Sequence, residues 1–249
     1  MSAKVVDEGE YRSARDFLTR VEELQRREPH PTTFRGQVKR WPLLPGLTRE
    51  GGPVEGQPLS KVLEVEKKLI AEYRRRVWES LQREPTIWET AVIGRHHGLA
   101  TRLLDWSESA AAALFLAVDG KPETDEQKNP LPSFVIGTHR HRDFVHDLGD
   151  SPWDGPLYNE GAVFFLPYYV SPTIFPQRSV LCCWEDPTRD LANQEETWWF
   201  EIPPSDREHI RWELAGLGIT KESLFPGLKG AADFLNWKTR HEEVLRGHR

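Results

Sequence analysis

The sequence predicts one α+β domain, with a mixed or antiparallel β core flanked by helices. Three observations carry this expectation. Apolar residues recur at helical spacing through the first half, short β-favourable runs crowd the second, and no linker long enough to divide the chain lies between them. With 249 residues the chain can bury a core without metal or disulfide staples.

Tyr11, Ala14, Phe17, Leu18, Val21 and Leu24 are spaced for a helix over 11–28 that stops before Pro29. His30 to Gln37 is a short β-favourable stretch closed by Gly36, and a Pro- and Gly-rich loop runs on to Pro58. From Ser60 to about Arg83, Val62, Leu63, Glu66, Leu69, Ile70, Tyr73, Val77 and Leu81 mark a long helix with mostly charged other faces. Thr86 and Glu89 have the spacing of a capping box, which starts a helix toward Arg95. Ser107 is placed to cap an apolar helix over 109–118, and residues 119–132 read as a surface loop. Strands are expected at Ser133–Gly137, Ala162–Leu166, Ser179–Trp184 and Thr197–Ile202. Ser205 and Glu208 repeat the capping-box spacing before a helix to Leu214, stopped by Gly216 and Gly218. A last helix follows Pro226, from about Leu228 to Leu245.

The 33 Lys and Arg against 39 Asp and Glu give a net charge of −6, which excludes a positive coat for nonspecific nucleic-acid binding but leaves room for a local basic groove. Ten tryptophans predict an aromatic-rich core or cleft. Cys182 and Cys183 are adjacent and poorly placed for a structural disulfide, so a reducing, cytoplasmic home is expected. The longest apolar runs, 110–118 and 162–170, are too short to span a bilayer, and no membrane partner is expected.

Phosphate-loop, dinucleotide-fold, serine-hydrolase, zinc-protease and paired Cys-x-x-Cys motifs are all missing. His139, His141 and His146 with Asp143, Asp147 and Asp150 match no ligand spacing, so a solvated polar loop is favoured there and no metal residue is assigned. Two polar stretches stand out. Phe34-Arg35-Gly36-Gln37 puts a guanidinium at a strand end, suited to bidentate capture of phosphate or carboxylate, beside a glycine that lets backbone approach a ligand; the alternative is an arginine paired with an acid. His96-His97-Gly98-Leu99-Ala100-Thr101-Arg102-Leu103-Leu104-Asp105-Trp106 gathers imidazoles, a hydroxyl, a cation, an acid and an indole between two helices. That density fits either a site or a structural network in which Asp105 caps a helix or pairs with Arg102.

Phe34-Arg35-Gly36, the following Trp41-Pro42-Leu43-Leu44-Pro45-Gly46-Leu47, the 96–106 segment and the apolar 110–118 helix resemble the FRG-domain family, named for its aromatic, arginine, glycine motif. Phe175 to Leu181 is similar to that family's later glutamine-bearing strand, and Gly218 to Leu228 to its helix and Leu-Phe-Pro ending. The resemblance thus divides the chain into an N-terminal amphipathic helix, 1–30, and an FRG-like domain, 31–249. Arg95 stands where the family usually has glutamine, and Ser179 and Leu181 where it tends to glycine and phenylalanine. The family is bacterial and phage-associated, which implies a toxin or antiphage role.

The order of an aromatic-Arg-Gly strand, a Ser/Thr-bearing middle segment and a late Gln- or Glu-bearing strand is also similar to the arginine-serine-glutamate class of ADP-ribosyltransferases. By that resemblance NAD is the substrate. Arg35 holds its pyrophosphate or nicotinamide ribose, Thr101 or His97 its ribose hydroxyls, and Gln177 sits at the usual carboxylate position. Trp106 and Phe34 grip the nicotinamide. Asp105, Glu185, Glu195 or Glu196 supplies negative charge for the oxocarbenium-like transition state, and His96 or His97 serves as base. The implied catalytic set is Arg35, His97, Thr101, Asp105 and Gln177; the implied NAD-binding set is Phe34, Arg35, Gly36, Gln37, His96, Arg102 and Trp106. A macromolecular acceptor, protein or nucleic acid, and an antitoxin or regulator are the implied partners. The alternatives are a non-catalytic module that binds a phosphate-containing ligand or a partner, and a metal-dependent nuclease.

Overall fold

The computed structural model describes residues 4–27, 32–140, 161–167 and 171–247. The chain order is β1 (Val5–Glu10), α1 (Ala14–Arg27), β2 (Thr32–Gln37), α2 (Leu59–Leu81), α3 (Ile87–His96), β3 (Leu104–Ser107), α4 (Ala110–Val118), β4 (Ser133–His139), β5 (Val163–Phe165), β6 (Ser179–Cys183), β7 (Thr197–Ile202), α5 (Arg207–Gly216), α6 (Lys221–Leu224) and α7 (Leu228–Gly247). The strands form one sheet in the order β1-β7-β4-β2-β3-β6-β5. Among the described strands only the β1–β7 pair is parallel, so the α+β architecture has a mixed sheet.

Alternation along the strands sorts side chains onto two faces. On one, Phe34, Val135, Trp198 and Phe200 pack with Phe17 of α1, Leu114 and Phe115 of α4, and Ile210 and Leu214 of α5. On the other, Trp106, Ile136, Cys182 and Trp199 are covered by Leu43, Trp184 and Leu191 from loops. Helices α2 and α3 close a third cluster through Ile70, Trp88 and Val92 against Leu103, Leu181 and Phe165. Helix α1 shares the core of β2 and α4 and β1 pairs with β7, so residues 5–27 pack onto the sheet.

Gly36 has a packing reason. A Cβ there would lie 2.1 Å from the Ala113 carbonyl oxygen and 2.6 Å from the Ala117 nitrogen, so only glycine lets β2 approach the α4 backbone this closely. The neighbour that requires the glycine is a helix, whereas the sequence reading gave it to a ligand.

Thr86 and Glu89 form the expected capping box on α3. The cap of α4 is Ser109, which accepts from the Ala112 N–H, while Ser107, two residues earlier, accepts from the Ser109 N–H and belongs to β3. The second expected capping box does not form. Asp206 is the N-cap of α5 and makes no side-chain cap bond, because the Ser205 hydroxyl is turned onto the Asp206 carboxylate at 3.0 Å. Strands β1 and β3 were not expected from the sequence, whereas α6 lies in the 218–228 stretch likened to the family's helix.

Candidate functional site

The site starts from an irregularity of the sheet. β2 pairs with β4 along its whole length, from Thr32 opposite His139 to Gln37 opposite Phe134, but with β3 it makes a single register pair, Phe34 opposite Ser107. Beyond that pair the two strands part, and a cavity of about 100 Å3 opens beside them. Phe34, Arg35 and Gly36 of β2, Asp105, Trp106 and Ser107 of β3, His96 of α3, Leu116 of α4, and Gln177 and Ser179 line it. Where a ladder bond is missing, Arg35 Nη1 donates to the Asp105 carbonyl at 2.7 Å.

The electrostatics follow from enclosure. Burial pulls the Arg35 pKa down to about 10, Asp105 opposes this, and Arg95 and Arg49 add repulsion; the guanidinium stays charged at neutral pH. Burial pushes the Asp105 carboxyl upward. The charge and hydrogen bonds of Arg95, helped by Arg35 and His96, outweigh it and hold the pKa below its usual value. Arg95 Nε donates to Asp105 Oδ2 at 2.8 Å, and Arg95 Nη2 donates to the same oxygen. Burial also lowers the His96 pKa against the pull of Asp105, with Arg95 and His97 adding to the lowering, which favours the neutral imidazole. Arg35 and Arg95 against Asp105 leave the site with one net positive charge.

Three lining residues carry a buried nitrogen without a hydrogen-bond partner: Arg35 Nε, Trp106 Nε1 and His96 Nε2. Trp106 is 3% exposed. Two of the three atoms are obligate donors, so the wall is prepared for a group rich in acceptors, such as a phosphate, carboxylate or carboxamide oxygen.

Of the residues singled out in the sequence, Phe34, Arg35, Gly36, His96, Asp105, Trp106 and Gln177 thus meet at one cavity. Gln177 arrives from the turn before β6, rather than from the strand itself. Its backbone carbonyl accepts from Ser107 Oγ at 2.6 Å, and its side-chain Nε2 donates to the Leu224 carbonyl at 3.0 Å. The remaining residues lie elsewhere. His97 is exposed at the end of α3. Thr101 is fully buried, accepting from the Leu103 N–H at 3.3 Å. Gln37 is 4% exposed beside Phe134 and does not line the cavity. Arg102 is bound to Glu66 of α2 and not to Asp105, which pairs with Arg95 instead.

Among the alternative acids, Glu185 and Glu196 are exposed, and Glu195 Oε1 accepts from the Ala162 N–H at 2.8 Å. His139 ends β4 with its ring 4.1 Å from Trp198, and His141, Asp143, His146, Asp147 and Asp150 lie outside the described residues. Among the described residues no group of three or more His, Cys, Asp or Glu is placed to hold a metal ion, and no helix is long and apolar enough to cross a membrane.

Sequence reasoning missed Ser107 and Ser179 as cavity residues and Arg95 as the group that fixes Asp105. Alternation would have put Asp105 and Ser107 on one face, once 104–107 was read as a strand.

Residues 30–126 match the family model of the FRG domain. That stretch is similar to the FRG domain. The matched stretch contains Arg35 and the whole 96–106 segment, so the FRG motifs are the ones that build the cavity wall, while Gln177 and Ser179 join from outside it. No curated protein and no solved structure matches the chain.

Proposed function

We propose that the cavity takes the nicotinamide-ribose end of NAD and that this FRG-like domain catalyses ADP-ribosyl transfer, in a toxin or defence role. The observation that supports this reading is convergence. Arg35 on β2, Ser107 on the neighbouring β3 and Gln177 just before the next strand, β6, line one cavity. They do so in the basic, hydroxyl and late-polar chain order of the transferase class resembled by the sequence. Ser107 takes the middle role that the sequence reading gave to Thr101 or His97.

The cavity's volume is below the roughly 300–1,000 Å3 of sites that enclose a drug-sized ligand, so it admits one end of a dinucleotide and leaves the rest outside. The Arg35 and Trp106 N–H groups donate to acceptor oxygens of that end. In the reaction the bond between ribose C1′ and the nicotinamide nitrogen breaks, and its electron pair leaves with neutral nicotinamide. The acceptor's lone pair then bonds to C1′ and the acceptor releases a proton. Asp105 is the carboxylate in the wall that faces the developing positive charge, and Arg95 fixes its orientation.

A second reading, a module that binds a phosphate-containing ligand without turnover, is favoured by two pairings. Arg95 offsets the Asp105 charge, and the Gln177 amide is engaged by Leu224. Nicotinamide release from NAD by purified protein, with Arg35→Ala compared after confirming its fold, decides between them. Turnover lost in the variant supports transfer. A melting temperature raised by NAD without turnover supports binding alone, and neither effect would overturn both readings.

A further inference from the structure

Away from the cavity, three cations gather where α4 ends. Arg207 and Arg211 stand one turn apart on α5, and Lys221 opens α6. Asp119, the C-cap of α4, accepts from Lys221 Nζ at 2.7 Å and pairs with Arg211 Nη2 at 3.0 Å. Arg207 reaches only the next backbone carbonyl, that of Gly120, at 3.4 Å. We infer that this junction of α4, α5 and α6 binds a small doubly charged oxyanion, a phosphate group held by Arg207 and Arg211. The inference is independent of the transferase reading.

Spare donors are the first argument. Arg207 is 4% exposed, and its Nη1 is buried without a hydrogen-bond partner, as is Nε of Arg211. A guanidinium nitrogen donates and never accepts, and buried donors in native folds are nearly always bonded. Arg211 is held in place by its other contacts, since its Cζ lies 4.5 Å from the Trp237 ring centroid and 5.9 Å from that of Phe115. The nearby acids face elsewhere. Asp206 accepts from Ser205 and Arg12, and Glu208 accepts from Trp237 Nε1 at 2.5 Å and lies 3.7 Å from His241.

Charge is the second argument. Arg207, Arg211 and Lys221 against Asp119 leave two positive charges. Adding Glu208 and Arg240, which also act on Arg211, leaves the surplus unchanged. The carbonyl end of α4 contributes roughly half a negative charge, too little to cancel it. A phosphate monoester carries about −1.5 to −2 near pH 7 and offers three acceptor oxygens, which suits both the surplus and the two spare N–H groups better than a single carboxylate does. Lys221 and Asp119, with side chains 22% and 18% exposed, mark the side on which solvent reaches the cluster. Leu116, one turn before Asp119, lines the cavity, so an anion here braces the helix that walls it.

The test uses the full chain in a phosphate-free, low-salt buffer. Melting temperature and calorimetric binding are measured with inorganic phosphate, with adenosine monophosphate, and with sodium chloride at matched ionic strength. The proteins are the wild type, Arg207→Met, Arg207→Lys and Arg35→Met. At ten times its dissociation constant, the phosphate ligand should raise the wild-type melting temperature by roughly 3–6 °C. Arg207→Met should lose that shift and Arg35→Met should keep it. Arg207→Lys, which keeps the charge without the planar fork and covers the case in which the methionine variant fails to fold, should bind roughly tenfold more weakly. Such a response to adenosine monophosphate alone makes the source a nucleotide, and one to inorganic phosphate makes it the free anion; either supports the site. A response to both phosphate ligands no larger than that to chloride overturns the inference and leaves Arg207 as a cation capping the end of α4. A response lost in Arg35→Met and kept in both Arg207 variants overturns it as well, because the phosphate is then bound in the cavity.

Discussion

Replacing Glu66 by alanine removes a partner on which the 96–106 segment depends. Glu66 of α2 and Arg102 are both 3% exposed in their side chains. Glu66 Oε1 accepts from the Arg102 backbone N–H at 3.1 Å, and its two oxygens accept from Arg102 Nε at 3.0 and 2.8 Å and from Nη2 at 2.6 Å. The substitution takes these acceptors from a buried guanidinium and a buried amide. Breaking a buried pair from one side costs about 3–5 kcal/mol, whereas replacing both members with apolar groups of similar size is often neutral. At about 2–4 °C of melting temperature per kcal/mol for a chain of this size, Glu66→Ala should melt roughly 6–20 °C below the wild type. Urea unfolding checks the free energy independently. Glu66→Leu combined with Arg102→Met should recover most of the loss. A single variant within about 1 kcal/mol of the wild type, or a double variant worse than the single one, would refute the argument that the uncompensated charge dominates.

Gly36→Ala should be more damaging than any surface change, because its methyl group meets backbone rather than a flexible side chain; insoluble or molten protein is expected, read by near-ultraviolet circular dichroism. Thr86→Ala should cost about 1 kcal/mol by removing the α3 cap. Its partner Glu89 is held at a pKa of about 2, chiefly by Arg83, against burial and with help from Thr86. The Glu89 contribution is complete above the ordinary 4.5 and is lost as pH falls toward 2, so Arg83→Met should flatten the acid limb of an unfolding titration. His96 has a folded pKa below 6.5, so the unfolded chain binds the extra proton first and stability should fall as pH drops below 6.5; His96→Gln should remove that slope, and an unchanged slope would show that His96 is not its source.

Most helices were legible because their signals are local. The capping box at Thr86, the spacing from Tyr11 to Leu24 and the apolar run before Val118 each lie within one element. The strands that escaped lack such signals. Val5–Glu10 is an edge strand of largely exposed residues, and Leu104–Ser107 has four residues embedded in a polar cluster. The cavity was partly legible: the arginine of one motif and the Asp-Trp of another were recognisable as chemistry. Their partners were not. Arg35 reaches a carbonyl 70 residues away, and Gln177 reaches one 47 residues on. Spacing along a chain cannot show that Arg102 belongs to Glu66 and Arg95 to Asp105, because both arginines lie within ten residues of the same acid.

The single register pair between β2 and β3 gives the sheet an edge in its interior. Edges of sheets normally lie outside, where unpaired N–H and C=O groups invite other chains and have to be guarded. Here β2 and β3 part with strands on both outer sides, and α4, which follows β3 in the chain and packs against β2, contributes Leu116 to the opening. Main-chain bonding capacity that a continuous ladder would consume is kept inside the fold, sheltered from aggregation and facing a small hollow. Arg35 already borrows one such carbonyl. A molecule entering there would meet backbone as well as side chains, and recognition would draw on groups that no substitution of a side chain can delete.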